Sequence, residues 1–148
     1  MRSYLIFVTT LLLACSSNDF IKHPSGMSYK IFSHKQSDPI QPEETLKLHI
    51  KQVYRDSILS DTRDSIPFYQ VYDSTSLSPE SWEIFGKLRK GDSVVFKVLS
   101  DSAFKSKWPP FAKKGEYLYT HIKVLEVFGV KEDFRADLRR EIERRRPQ

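Results

Sequence analysis

The chain has 148 residues, with 24 Lys and Arg against 19 Asp and Glu, a formal net charge of +5 and 39% hydrophobic side chains. That is enough chain for one domain with a core of its own. The one cysteine excludes an internal disulfide, and past the N-terminus no segment approaches the eighteen or so apolar residues that a spanning helix requires.

Arg2 is followed by an unbroken apolar or small stretch over residues 4–14, the layout of a secretory signal with a positive n-region and a short h-region. At about 1.5 Å per residue that stretch makes a helix of roughly 16 Å, about half a bilayer's hydrocarbon core, and it is too short to span. It ends in Leu12-Leu13-Ala14-Cys15, which resembles the lipobox of bacterial lipoproteins, where the cysteine takes the lipid and becomes the new N-terminus. The resemblance implies a signal over residues 1–14 and attachment to a lipid bilayer through Cys15, stable once two or three acyl chains are present. Asp19 stands four positions past the cysteine and not beside it, so the inner-membrane retention signal is lacking. The expected place is the cell envelope, on the outer membrane facing the periplasm. Residues 15–25 are then the lipidated cysteine and a polar, flexible tether.

From Gly26 the pattern changes. Residues 27–32 read as a short strand, and the prolines Pro39 and Pro42 exclude a helix after it. Leu46, Leu48, Ile50 and Gln52 alternate with Lys47, His49, Lys51 and Val53, the period-two signature of a half-buried strand. Arg55-Asp56-Ser57 offers a turn into a hairpin arm. Residues 61–65 read as polar loop and residues 67–72 as another strand, with Pro67 first, where a missing N–H is harmless.

Ser78 is a natural N-cap, Pro79 sits at the first helical position, and Glu80 and Glu83 lie where the helix dipole favours acids. Trp82, Ile84, Phe85 and Leu88 form an apolar stripe, and Gly91 is the expected stop, about three turns on. A strand over residues 93–99 follows, then a loop over 101–114 containing Phe104, Trp108, Pro109-Pro110 and Phe111, then a long strand over 116–128. Residues 131–146 finish as a charged helix with Phe134, Leu138 and Ile142 four apart. Its interleaved acids and arginines give self-supporting pairs, so a solvated helix is the simplest reading. The sparse apolar stripe also allows docking on the body or on another envelope protein. Export makes nucleic acid an unsuitable partner for the basic tail. The histidines His23, His34, His49 and His121 show no ligand spacing, so no metal site is expected.

Strands with one short helix fourth describe an α+β domain, a curved antiparallel β-sheet wrapped around one α-helix. The order is similar to that of the FKBP family of peptidyl-prolyl isomerases over residues 26–128, with residues 129–148 an added charged helix. The residues carrying the resemblance are Gly26-Met27-Ser28-Tyr29, Leu48-His49-Ile50, Asp61, Pro67-Phe68, Trp82-Glu83, Leu88-Arg89-Lys90-Gly91-Asp92, Ser100-Asp101-Ser102-Ala103-Phe104, Pro109-Pro110 and Val124-Leu125-Glu126-Val127. The resemblance implies a half-barrel with an apolar hollow beside the helix and needs no cofactor. It places Asp61, Phe68, Trp82 and Phe104 at the catalytic positions and Ile50, Leu77 and Thr120 at substrate-contacting ones. Trp82 takes the pocket-floor place only with a one-residue shift; otherwise Ser81 does. Ile50 and Thr120 replace aromatic rings usual in the family, Ser60 replaces a phenylalanine, and Leu77-Ser78 replaces the Val-Ile pair before the helix. The implied function is a membrane-anchored isomerase for proline-containing polypeptide clients. The alternative from those departures is a non-catalytic FKBP-like binding or assembly module in an envelope or motility complex.

Overall fold

The computed structural model describes residues 19–34, 37–105, 107–130 and 132–145; the signal-like segment, Cys15 and residues 16–18 of the expected tether lie outside them. Residues 21–22 are not tether. They form β1 (Ile21–Lys22), paired antiparallel with β2 (Ser28–Phe32) through Ile21 opposite Tyr29 and Lys22 opposite Ser28. The hairpin closes where His23 N donates to Met27 O at 2.7 Å and Gly26 adopts φ +90°, a conformation open to glycine. A two-residue strand has no period to read, which is why composition suggested a tether.

The alternating segment forms β3 (Thr45–Tyr54), and its hairpin partner is β4 (Ser57–Asp61). Next come β5 (Phe68–Val71), α1 (Pro79–Phe85), β6 (Ser93–Leu99), α2 (Ser100–Phe104), β7 (Tyr117–Phe128) and α3 (Phe134–Arg144). Among the described residues these strands make one antiparallel sheet in the order β1-β2-β6-β7-β3-β4, and β5 pairs with the first half of β3.

Side chains facing each other across an antiparallel ladder share a face, so register sorts the sheet into two sides. Ile31, Val94, Ile122 and Ile50 form one cross-strand row, and with Leu46, Leu48 and Val124 they build the inner face. The helix covers that face with Ile84 and Phe85, and Leu88, just past its end, joins them. Leu46, Ile84, Leu88, Val94 and Val124 are fully buried, each contributing about 1.5–3 kcal/mol from burial. The adjacent row, Lys30, Val95, His121, Lys51 and Asp61, belongs to the outer face.

α1 begins as its caps require: Ser78 Oγ accepts from Ser81 N at 3.2 Å and Pro79 is the first helical residue. It stops well before Gly91. Gly86 is the C-cap, after which Leu88 O accepts from Ile40 N at 3.1 Å and Arg89 bridges Pro39. Asp92, fully buried, fixes the turn by accepting from Arg89 N and His34 N, both at 3.0 Å. These contacts recruit the backbone groups a third helical turn would need. Gly91 serves the turn into β6, with φ +86°.

The expected loop over 101–114 begins with α2, anchored by Ser100 Oγ donating to Lys113 O at 2.6 Å and by Asp101 accepting from Gly115 N at 2.8 Å. The C-terminal helix is shorter than expected and is docked on the body. Lys47, on the outer side of β3, lies 2.7 Å from both Asp137 and Glu141, and Tyr69 Oη donates to Asp137 Oδ2 at 2.6 Å. Tyr69 also meets the Phe128 and Phe134 rings. The sheet thus has α1 on one side and α3 on part of the other.

Candidate functional site

The inner face carries two apolar clusters with a more polar row between them. In the first, Leu77 and Trp82 from the α1 region and Ile50 from β3 pack on the main core. The Trp82 ring stacks on Tyr72 with centroids 4.0 Å apart and planes 16° off parallel. Tyr72 Oη donates to Trp82 O at 2.9 Å, and burial pushes the tyrosine pKa above its ordinary value. Gly86 makes that stack possible, since a Cβ there would lie 2.5 Å from the Tyr72 hydroxyl.

The second cluster joins Tyr54, Ala112 and Leu118 with Phe104 and Trp108. Trp108 Nε1 donates to Ala112 O at 2.8 Å, and Tyr54 Oη, accepting from Lys113 N at 2.7 Å and bonded to Glu116, ties the loop to β3. The Tyr54–Phe104 and Phe104–Trp108 centroids are 6.1 and 5.9 Å apart, in the edge-on range aromatic pairs favour. Between the clusters runs the row Tyr29, Phe96, Thr120, Gln52, Ser60, with Ser60 Oγ donating to Gln52 Oε1 at 3.2 Å. Tyr29 and Phe96 are buried in the first cluster, so the accessible part of the row is half-buried Thr120 and Gln52 with exposed Ser60, flanked by the Ile50 row on one side and the Tyr54 row on the other.

Ile50, Leu77 and Trp82 all pack on the main core, Thr120 lies one row from Ile50, and Phe104 stands in the second cluster. Phe68 pairs opposite Leu48 on the same face but at its rim, 47% exposed. Asp61 does not join them. Tyr54 and Val53 pair with Ser57 and Ile58, then a register shift between Gln52 and Val53 sets Ser60 opposite Gln52 and Asp61 opposite Lys51. Without that extra residue Asp61 would face Ile50; the bulge moves it to the other side of the sheet. The pocket expected around Asp61, Phe68, Trp82 and Phe104 is thus divided between two faces.

On its own side Asp61 accepts from Arg63 N at 3.0 Å and pairs with the Arg63 guanidinium at 3.1 Å, contacts that hold its pKa below the usual carboxylate value. It borders a depression of about 450 Å³ with Phe32, His49, Lys51, Val95 and His121. Burial lowers both histidines, helped at His121 by Lys51. A second depression, about 630 Å³, separates α3 from the sheet. Among the described residues no cluster of His, Cys, Asp and Glu has the makings of a metal site. Tyr54, Tyr72 and Gln52 are site residues that sequence reasoning passed over. Tyr72 was legible only as the end of an aromatic strand, and Gln52 only as the polar member of an apolar alternation.

This arrangement, an open antiparallel sheet curved over a short helix with aromatic clusters on its inner face, is an FKBP-like fold. Solved structures share it. FkpA from Escherichia coli superposes with a TM-score of 0.56 at 14% identity over 78% of this chain, which spans about half, 54%, of FkpA. A peptidyl-prolyl cis-trans isomerase from Pseudomonas syringae pv. tomato superposes at 0.52 with 11% identity, covering 77% of this chain and 84% of its own. No protein-family model matches the chain, and no curated protein matches it in sequence.

Proposed function

We propose that this chain is an FKBP-type peptidyl-prolyl isomerase, held on the outer membrane by lipid on Cys15 and acting on exported polypeptides. The observation that carries the reading is the inner face itself. Ile50, on whose core cluster Leu77 and Trp82 also pack, flanks the Thr120–Gln52 row on one side, and the Tyr54 cluster with Phe104 and Trp108 flanks it on the other, on a fold shared with a solved isomerase. Rotation about a prolyl amide faces a barrier of about 18–20 kcal/mol because the planar form is conjugated. Apolar walls that strip water from the amide remove hydration favouring the planar, polar form, and a surface fitting the twisted form lowers the barrier. Thr120 and Gln52 supply the polar contacts that align the segment. The reaction consumes no cofactor and needs no nucleophile. Among the described residues no helix is long and apolar enough to cross a membrane.

A proline-limited refolding assay with the purified chain tests the enzyme. Acceleration that is lost in Trp82→Ala supports it, and an uncatalysed rate at micromolar protein removes it. A second reading is favoured by Asp61 facing away and by Tyr72 covering one side of Trp82: a module that binds proline-containing segments without turning them over. Peptide binding with no acceleration selects that reading.

A further inference from the structure

The outer face of the sheet has a composition that the inner site does not use. Its rows place Lys22 and Lys97 in line with Tyr119, and Lys30 and Lys51 in line with His121. Lys123 follows in the next row beside Phe32 and His49. In these three rows the five lysines meet one carboxylate, Asp61, which Arg63 already neutralises. Among the described residues no carboxylate forms an ion pair with Lys51, Lys97 or Lys123. Aromatic rings are interleaved with them: the Lys97 ammonium lies 4.1 Å from the Tyr117 ring centroid and 5.7 Å from that of Phe20, and Phe20 meets Tyr119 edge-on at 6.3 Å. α3 docks at the Lys47 end and leaves this half uncovered.

Phe20 also fixes where the chain arrives. Its ring lies on this face, and Cys15 is five residues before it, a reach of at most about 17 Å in extended chain. We infer that this basic, aromatic sheet face rests on the anionic headgroups of the bilayer that anchors the chain. Lysines supply the attraction to lipid phosphate, which falls off within a Debye length. Tyr117, Tyr119 and Phe20 are side chains suited to the headgroup boundary. α1 and Trp82 lie on the opposite face, so the inner row opens away from the bilayer toward clients. The argument borrows the Cys15 anchor from the proposed function, and its test separates the two.

The full-length chain carrying Cys15→Ser is mixed with neutral phosphatidylcholine vesicles and with vesicles to which phosphatidylglycerol has been added. The apolar residues 4–14 favour both alike, so the readout is the ratio of bound fractions. The expected preference for anionic vesicles is about tenfold or more, collapsing toward parity as salt is raised. The triple variant Lys51→Glu, Lys97→Glu, Lys123→Glu is expected to lose the preference, while Lys87→Glu, on the α1 side, keeps it. Equal binding of the unmodified sheet to both vesicles, or a preference indifferent to salt, overturns the inference; the salt arm holds even if the triple variant does not fold. Acylation is read separately, from the mass of the Cys15 peptide of the natural chain in bacterial membranes. Anionic preference with an unmodified Cys15 sinks the anchor and leaves the lipid-facing surface standing.

Discussion

Lys47 and Glu141, ninety-four positions apart, meet at 2.7 Å where the C-terminal helix crosses the sheet. Both side chains are largely shielded, with 12% and 7% exposure, and Asp137 sits at the same distance from the ammonium on its other side. Replacing Lys47 by Ala removes the cation that the two acids share and leaves Asp137 with Arg140 and Glu141 with Arg144 and Arg145, all from their own helix region. The expected cost is about 3 kcal/mol, the low end for a broken buried pair, because the cluster borders an open depression. Arg139→Ala, at an exposed pair of 3.6 Å, is expected to change stability by less than about 0.5 kcal/mol. Urea midpoints compare the two.

The same contact makes stability depend on pH with a definite sign. Burial works against the Asp137 anion, but its hydrogen bonds from Lys47 and Tyr69 outweigh that; Glu141 is held by Lys47 and Arg145, and both pKa values lie below their ordinary 3.8 and 4.5. Folded values lower than unfolded ones mean full stabilisation above the ordinary carboxylate range, lost as pH falls through the depressed values. Lys47 shifts upward, desolvation being outweighed by the two acids, so its share is present below 10.5 and lost as pH rises through the folded value. Melting temperatures across acid pH should fall more steeply for the natural chain than for Asp137→Asn/Glu141→Gln. Parallel curves would contradict this.

Gly86→Ala should destabilise by about 1–3 kcal/mol through overpacking. The backbone there is ordinary helix at φ −62°, so the cause is the Tyr72 hydroxyl, 2.5 Å from the new methyl. In a Tyr72→Phe background the penalty should shrink toward zero. A double-mutant cycle that finds the two changes additive would show that the hydroxyl is not the obstacle.

Asp61→Asn should leave any acceleration of proline-limited refolding within about twofold, whereas Trp82→Ala should lower it about tenfold or more. The two residues stand on opposite faces, and the inner row does not reach the carboxylate. Loss of activity in Asp61→Asn would place the catalytic surface on the wrong side in this account.

What the sequence discloses follows the range of the forces involved. β3 was legible because its alternation is local and its register to β7 follows from burying one face. Ser78 and Pro79 marked the start of α1 for the same reason. The end of α1 was misplaced because Ile40, distant in sequence, and the nearby Asp92 carboxylate claim the backbone groups of Leu88 and Arg89. Lys47 looked like any solvent-facing strand lysine until α3 supplied its acids. Asp61 shows the limit most sharply, since one inserted residue reverses a side chain, and nothing in Ile58-Leu59-Ser60 announces where the insertion falls.

β7 lies between β6 and β3, so the β1-β2-β6 and β3-β4-β5 portions are joined in the sheet through this strand, the last in the chain. A polypeptide that emerges N-terminus first, from a ribosome or a translocation pore, holds both portions as open-edged fragments until Phe128 is out. Productive collapse is therefore postponed to the close of synthesis or transport. Through that interval the chain stays threadable and depends on whatever shields its unpaired edges.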